Sequence, residues 1–299
     1  MLKEGILDWV DHGLDRLITV NEEPGFKEYF QELVAKERKP IIVGNHQSHF
    51  DGVILAWVTQ RLLTYEREVA PVEQPKGYVL TVASSVRSGH QSRFLQLAYP
   101  LAELVTSRRG LRFIDYTREV DEERYRIKKP RASQLRSFAE RVRQGYRIAS
   151  LPEASVQGGR YPRNNDHRGR FAQSIKNLVD IITSNRREDI LGMQKIRDNS
   201  LMPYYELVTG GNGNGQQEGF FVPVGIHGSY RILPPYTLFP PLDTWASILR
   251  LSSRTFVDVN IGMPITSWPQ DKASANTLIM SKVAQIVPVE ARGVYSNKI

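Results

Sequence analysis

The sequence predicts an α/β fold, a mixed and mostly parallel central sheet flanked by helices, with a small helical segment at the N-terminus. Three observations predict it. Short β-branched runs alternate with stretches of helical spacing along most of the chain, the pattern of strands joined by covering helices. The clearest of these runs, Ile41-Ile42-Val43, is bounded by Pro40 and Gly44 and has no polar face, as a strand buried on both sides requires. The 299 residues are 40% apolar and 24% charged, a globular composition able to close around one main core.

At the start, Ile6, Leu7, Trp9, Val10, Leu14, Leu17 and Ile18 fall near helical spacing, and a second amphipathic run follows around Phe30 to Leu33. Residues 1–38 are therefore expected to form a helical segment packing on the core, and 39–299 the α/β domain. A helix lying on a membrane surface is the competing reading. Asp8, Asp11 and Asp15 speak against it, since anionic lipid would repel them. After the Ile41–Val43 strand, Val53 to Leu63 reads as a helix, Tyr78 to Val82 as a strand, Ser92 to Leu104 as a helix and Leu111 to Ile114 as a strand. Arg131 to Gln144 then reads as a helix, Arg147 to Leu151 as a strand and Phe171 to Thr183 as a helix. The polar run from Thr209 to Gln217 is a surface loop by composition, and its glycine spacing is wrong for a dinucleotide fingerprint. Phe220 to Ile226 and Thr255 to Ile261 close the set of strands, and Ala273 to Ile286 is the last helix.

Composition excludes several chemistries. The absence of cysteine removes thiol catalysis, disulfides and thiolate metal sites, and six histidines at 12, 46, 49, 90, 167 and 227 leave little for a metal site, so no metal is expected. No stretch approaches the ~18 to 20 apolar residues of a bilayer-spanning helix. The opening Met1-Leu2-Lys3-Glu4-Gly5 does not lead into the apolar run of a signal peptide. The expected location is the cytoplasm, at most peripheral at the inner membrane face, or the plastid stroma in a plant lineage. Lys+Arg 40 against Asp+Glu 32 gives a net charge of +8, which favours phosphorylated metabolites, coenzymes, anionic headgroups, an acidic carrier protein or nucleic acid. Nucleic acid is the weakest of these partners. Aromatic residues are not interleaved with the basic ones as stacking requires, and no helix-turn-helix or RNA-recognition motif is visible.

The chemistry concentrates in Asn45-His46-Gln47-Ser48-His49-Phe50-Asp51, where a strand should end and a helix begin. Such carboxyl-end loops line the ligand crevice of a parallel sheet. His46 is a candidate proton acceptor, and Asp51 a group that fixes its tautomer and stabilises the imidazolium. The competing reading makes Asp51 the N-cap of the apolar helix it precedes. His49 reads as structural or solvent-facing, and His90, which precedes a helix, as a candidate for the pocket rim. Ser92 is the expected cap of the helix after His90.

Three further segments follow in order: Gly110-Leu111-Arg112-Phe113-Ile114-Asp115-Tyr116-Thr117-Arg118, then Leu151-Pro152-Glu153-Ala154-Ser155 with Gly158-Gly159-Arg160 and Arg163 behind it, then Phe221-Val222-Pro223-Val224-Gly225-Ile226. Taken with the His-x4-Asp segment, this series resembles the glycerolipid acyltransferase superfamily. The Asn-His-Gln triplet, Tyr116-Thr117-Arg118, the Gly-Gly-Arg at 158–160 and the run Leu233-Pro234-Pro235 are most similar to its soluble, plastid-type glycerol-3-phosphate acyltransferases. Departures from that pattern are Tyr116 and Val156 where arginines are usual and Ala154 where glycine is usual.

The resemblance implies an O-acyltransferase of phospholipid synthesis. It would move a fatty acyl group from acyl-coenzyme A or acyl carrier protein, a co-substrate rather than a bound cofactor, to the hydroxyl of glycerol 3-phosphate. His46 would be the base and Asp51 its orienter; Arg118, Glu153, Arg160 and Arg163 would hold the acceptor; Val222 and Pro223 would line the acyl pocket. A lysophospholipid acceptor is the near alternative, and a non-catalytic basic protein binding nucleic acid, anionic membrane or acyl carrier the distant one. From the residues alone, each of the arginines, together with Arg108, Arg109, Arg112, Arg168 and Arg170, reads by default as part of a solvated surface. Glu153 reads also as an exposed loop carboxylate. Pro223 reads as marking an edge or strand end, and Val222 and Val224 as lining core or channel. The absence of a Gly-x-Ser-x-Gly elbow agrees with direct transfer without an acyl-enzyme.

Overall fold

The computed structural model describes residues 8, 12–48, 50–70, 74–83, 93–116, 120–121, 126–127, 139–152, 193, 201, 204–206, 219–229 and 257–298. In chain order these form β1 (Ile18–Glu22), α1 (Phe26–Ala35), β2 (Lys39–Gly44), α2 (Asp51–Val69), β3 (Gly77–Ala83), α3 (Arg93–Arg108) and β4 (Leu111–Tyr116). There follow β5 (Val120–Asp121), β6 (Arg126–Ile127), β7 (Tyr146–Ser150), β8 (Gly219–His227), β9 (Val257–Ile261) and α4 (Lys272–Gln285). Of the helix expected at 131–144, residues 131–138 lie outside the described residues and 139–143 are helical; the helix expected at 171–183 and the glycine-rich run 209–217 also lie outside them.

Seven strands make one sheet in the order β1-β9-β8-β2-β7-β3-β4, and β5 and β6 form a separate two-stranded ribbon. From β8 to β4 every pairing is parallel; β9 runs antiparallel to β8, and β1 pairs parallel with β9. The α/β class and the mostly parallel, mixed sheet are as the alternation of runs predicts. β2 stands in the middle of the sheet, and its Ile41, Ile42 and Val43 are wholly buried.

Alternation along each strand divides the core between two faces. On one, Ile42, Tyr78, Leu80, Val222, Val224 and Val259 share a cluster with Phe26, Phe30 and Leu33 of α1 and Ile54, Val58 and Leu62 of α2. On the other, Ile41, Val43, Val79, Ile148 and Phe221 pack with Ile279, Met280 and Val283 of α4. Each such side chain, fully buried, contributes about 1.5–3 kcal/mol. α4 is opened by Asp271, whose carboxylate accepts the Ser274 N–H at 2.8 Å. α2 has a different entry, described below.

Two expectations change. The helical pattern assigned to Ile6–Ile18 gives way at Ile18 to β1, which joins the main sheet instead of flanking it. Five residues with only Ile18 buried carry too little period-2 signal to be read as a strand. Pro223, expected at an edge or strand end, lies inside β8, opposite Val43 of β2. On the other side of β8, Val224 pairs with Ile261 and the Pro223 C=O accepts the Gly262 N–H, but Phe221 pairs with Ile265, one residue out of step. The extra residue lies in 262–264, a β-bulge on the segment after β9 that faces Pro223, so proline's missing N–H falls where the ladder is already interrupted. The Met263 N–H released there is taken by Glu23 Oε2 at 2.8 Å.

The segment before β1 is tied down by charge. Asp15 Oδ1 accepts the Trp57 indole N–H at 2.7 Å and pairs with Arg109 at 2.9 Å, while the Arg109 guanidinium lies 3.9 Å from the centre of the Trp57 ring. Asp8 pairs with Arg108 at 3.0 Å. Arg61 of α2 reaches across β1 to the Val20 C=O at 3.1 Å and Glu22 Oε1 at 2.9 Å.

Candidate active site

β2 ends at Gly44, and Asn45–Ser48 and Phe50 lead the chain into α2 at the carboxyl end of the sheet's central strand. Ligand crevices of open α/β sheets lie at this edge. The turn is held from both directions. Asn45, wholly buried, donates Nδ2–H to the Ile226 C=O at 2.8 Å and accepts the Ile226 N–H on Oδ1 at 2.6 Å. Gln47, also wholly buried, accepts the Gly228 N–H on Oε1 at 3.2 Å.

Between these two amides, His46 places Nδ1 3.0 Å from Asp51 Oδ2, with 18% of its side chain exposed against none of Asp51. The same oxygen accepts the backbone N–H groups of Gln47 at 2.6 Å and Ser48 at 2.8 Å. Ser48 completes the turn: its Oγ accepts the Phe50 N–H at 3.0 Å, and its C=O accepts the Asp51 N–H at 3.1 Å. An ionised carboxylate only accepts, so the ring carries its proton on Nδ1 and Nε2 is the basic nitrogen. The capping reading of Asp51 is corrected. The N-cap position of α2 is Phe50, with no side-chain cap bond, and the Asp51 carboxylate looks back into the turn instead of forward to the first helical N–H groups. Its second oxygen, Oδ1, is buried without a partner among the described residues, as are Gln47 Nε2 and Ser229 Oγ.

Of the other residues expected at the site, Val222 is fully buried in the cluster under α1 and α2, and Pro223 lies inside β8, facing the bulge described above. Arg118, Glu153, Arg160 and Arg163 lie outside the described residues, as do His49, His90, Ser92, Ala154, Val156, Arg168 and Arg170. Their parent strands are described. β4 ends at Tyr116 and β7 at Ser150, and both run parallel with β2, so they end on the same edge as the His46 turn. Arg108 and Arg109, by contrast, precede β4 at the opposite edge and pair with Asp8 and Asp15; Arg112 stands 5.5 Å from the Tyr146 ring centre. Among the described residues, no cluster of three or more His, Asp or Glu side chains is arranged to hold a metal ion, and no helix is long and apolar enough to cross a membrane. An open groove of about 570 Å³ between β1 and α2, bordered by Trp57, Arg61 and Tyr65, includes no residue of the His46 turn.

Sequence reasoning missed the roles of Asn45 and Gln47. The signal available was polar residues two apart, flanking a histidine directly after an apolar strand. It also missed a buried polar triad at the far edge of the sheet. Glu66 of α2 accepts the Tyr78 O–H on Oε1 at 2.9 Å and the Arg147 Nε–H on Oε2 at 3.1 Å. Burial pushes the Glu66 carboxyl above the usual carboxylate range, with Arg147 and the Tyr78 hydroxyl pulling the other way. Burial and the nearby Glu66 charge push the Tyr78 phenol well up.

No protein-family model matches the chain, and no curated protein matches it.

Proposed function

We propose that this protein is an O-acyltransferase of the glycerolipid type, moving a fatty acyl group from an acyl thioester to the hydroxyl of glycerol 3-phosphate. One observation carries the reading: an imidazole held through Nδ1 by a buried, thrice-bonded carboxylate oxygen, at the carboxyl end of the central strand. That arrangement suits a general base and needs no protein nucleophile. His46 Nε2 takes the proton of the acceptor hydroxyl as its oxygen attacks the thioester carbonyl. The tetrahedral intermediate then expels the thiolate, the C–S bond breaks, and the imidazolium returns its proton to the leaving sulfur. Asp51 stays ionised throughout and stabilises the imidazolium.

Support comes also from the strands that carry the other three segments of the resemblance. β8, β7 and β4 all run parallel with β2, so a substrate at His46 lies on the edge from which Arg118 follows β4 and Glu153 follows β7. In this reading Arg118, Arg160 and Arg163 hold the acceptor phosphate with guanidinium forks. Glu153 receives an acceptor hydroxyl or orders an arginine, and the acyl donor is coenzyme A- or carrier-bound.

The test follows free-thiol release from palmitoyl-coenzyme A and from palmitoyl-carrier protein, with glycerol 3-phosphate, with a lysophospholipid, and with no acceptor. Glycerol-3-phosphate-dependent release is expected, reduced about 10²- to 10⁴-fold in His46→Ala. Release with the lysophospholipid alone transfers the reading to that acceptor. Release that persists undiminished in His46→Ala, or none with either donor, removes the proposal.

A further inference from the structure

We infer that Asn45 and Gln47 are positioning residues that fix His46 as its Nδ1–H tautomer by tying the chain on either side of it to the backbone of β8. The backbone ladder between β2 and β8 runs from Lys39↔Gly219 to Gly44↔Val224 and stops there. Side chains continue it. Asn45 binds both backbone groups of Ile226, as a neighbouring strand's peptide would, and Gln47 binds the N–H of Gly228. Two residues forward on one chain match two on the other, which is the step of a parallel ladder.

His46 sits between these two anchors. With both neighbours fixed, its side chain leaves the ladder toward the start of α2, where Asp51 Oδ2 already gathers the N–H groups of Gln47 and Ser48. The third donor it meets is His46 Nδ1, 3.0 Å away. Gln47 therefore acts twice on this geometry, through its amide side chain to β8 and through its backbone to Asp51. Closing the turn alone would not select a buried glutamine. Its Nε2 has no partner among the described residues, and leaving a buried donor unsatisfied carries a desolvation penalty that an apolar side chain of the same size avoids. What the amide adds is a fixed distance from β8 to His46.

The catalytic meaning of the tautomer rests on the acyl-transfer reading; the tautomer does not. Imidazole ¹⁵N shifts, measured above the titration of the ring, are expected to show His46 with its proton on Nδ1 in the native protein. In Gln47→Met, close in volume but with no acceptor for Gly228, the Nδ1–H form falls from dominant to minor. kcat then falls by about 10²-fold with KM little changed, as misplacement by about 1 Å produces. A folded Gln47→Met protein with an unchanged ¹⁵N pattern overturns the inference. If that variant does not fold, amide exchange of the native protein decides instead. The N–H groups of Ile226 and Gly228 should be protected like those inside the β2–β8 ladder, and exchange at the rate of exposed amides overturns it. Failure to observe acyl transfer with any substrate leaves both readouts standing and removes only the acyl-transfer reading.

Discussion

Glu66 has one oxygen on a phenol and the other on a guanidinium, and no more than 1% of it is exposed. Because burial raises its folded-state pKa above the ordinary value, the folded protein holds a proton on Glu66 where the unfolded chain has released it. Stability is then largest below the ordinary carboxylate range and declines as pH rises through the folded-state titration. Glu66→Gln, which keeps an acceptor for Tyr78, is expected to flatten that decline. Arg147→Met removes the charge that opposes the shift, so it should carry the decline to higher pH and cost about 3 kcal/mol at pH 8. Urea midpoints at pH 5 and pH 8 check both; equal slopes in all three proteins would mean Glu66 is not the titrating group. At this scale the sequence shows residue types and little of their company. His46 and Asp51 are legible as a pair because their chemistry is distinctive at short range. Whether Asp51 serves the histidine or caps the helix depends on the direction of one χ angle, which spacing does not encode. Glu66, Tyr78 and Arg147 meet only after three elements have packed.

Elements were legible where apolar periodicity ran long. α4 and the strands β2, β3 and β8 stand within two residues of the bounds their patterns predict, and α2 starts two residues earlier and runs six further than its pattern, because burial on one or two faces writes itself into the sequence. β1 was not, since one buried residue in five leaves the pattern to chance. Pro223 shows the converse, a strong local mark read too literally: proline does interrupt a ladder, but the interruption is a bulge in the segment after β9 that faces it, and β8 runs on. A tighter constraint lies where β3 begins. Gly77 has φ 137°, and a Cβ there would stand 2.5 Å from the Gly110 C=O, the group that accepts the Tyr78 N–H at 2.7 Å. Gly77→Ala must therefore strain the backbone and push β3 off the turn before β4. A loss of about 2–4 kcal/mol is expected. Thermal unfolding of the variant checks it, and a change below 1 kcal/mol would show that the turn yields.

Across the molecule, the order β1-β9-β8-β2-β7-β3-β4 is the least legible feature, since β7 inserts between β2 and β3 although α3 and the strands β4, β5 and β6 separate it from β3 in sequence. Periodicity reports that a strand is buried, not which neighbour buries it. The order has a measurable consequence. β2 and β8 lie inside the sheet with β2 central, whereas β1 is a short rim strand, so opening should proceed from the rim. Native-state hydrogen exchange is expected to be slowest in 39–44 and 219–227 and markedly faster in 18–22; equal protection of β1 and β2 would contradict it. That rim is also guarded. Leu17 accepts the Val257 N–H and Glu23 donates to the Ile261 C=O, so odd-numbered residues of β1 face β9 and Val20 turns its carbonyl outward, where Arg61 takes it. A guanidinium seated on that carbonyl occupies the foothold a foreign strand would need. The sheet is thus finished at this side by an end-stop of its own making, which discourages copies of the chain from stacking into fibres while they are crowded and newly synthesised.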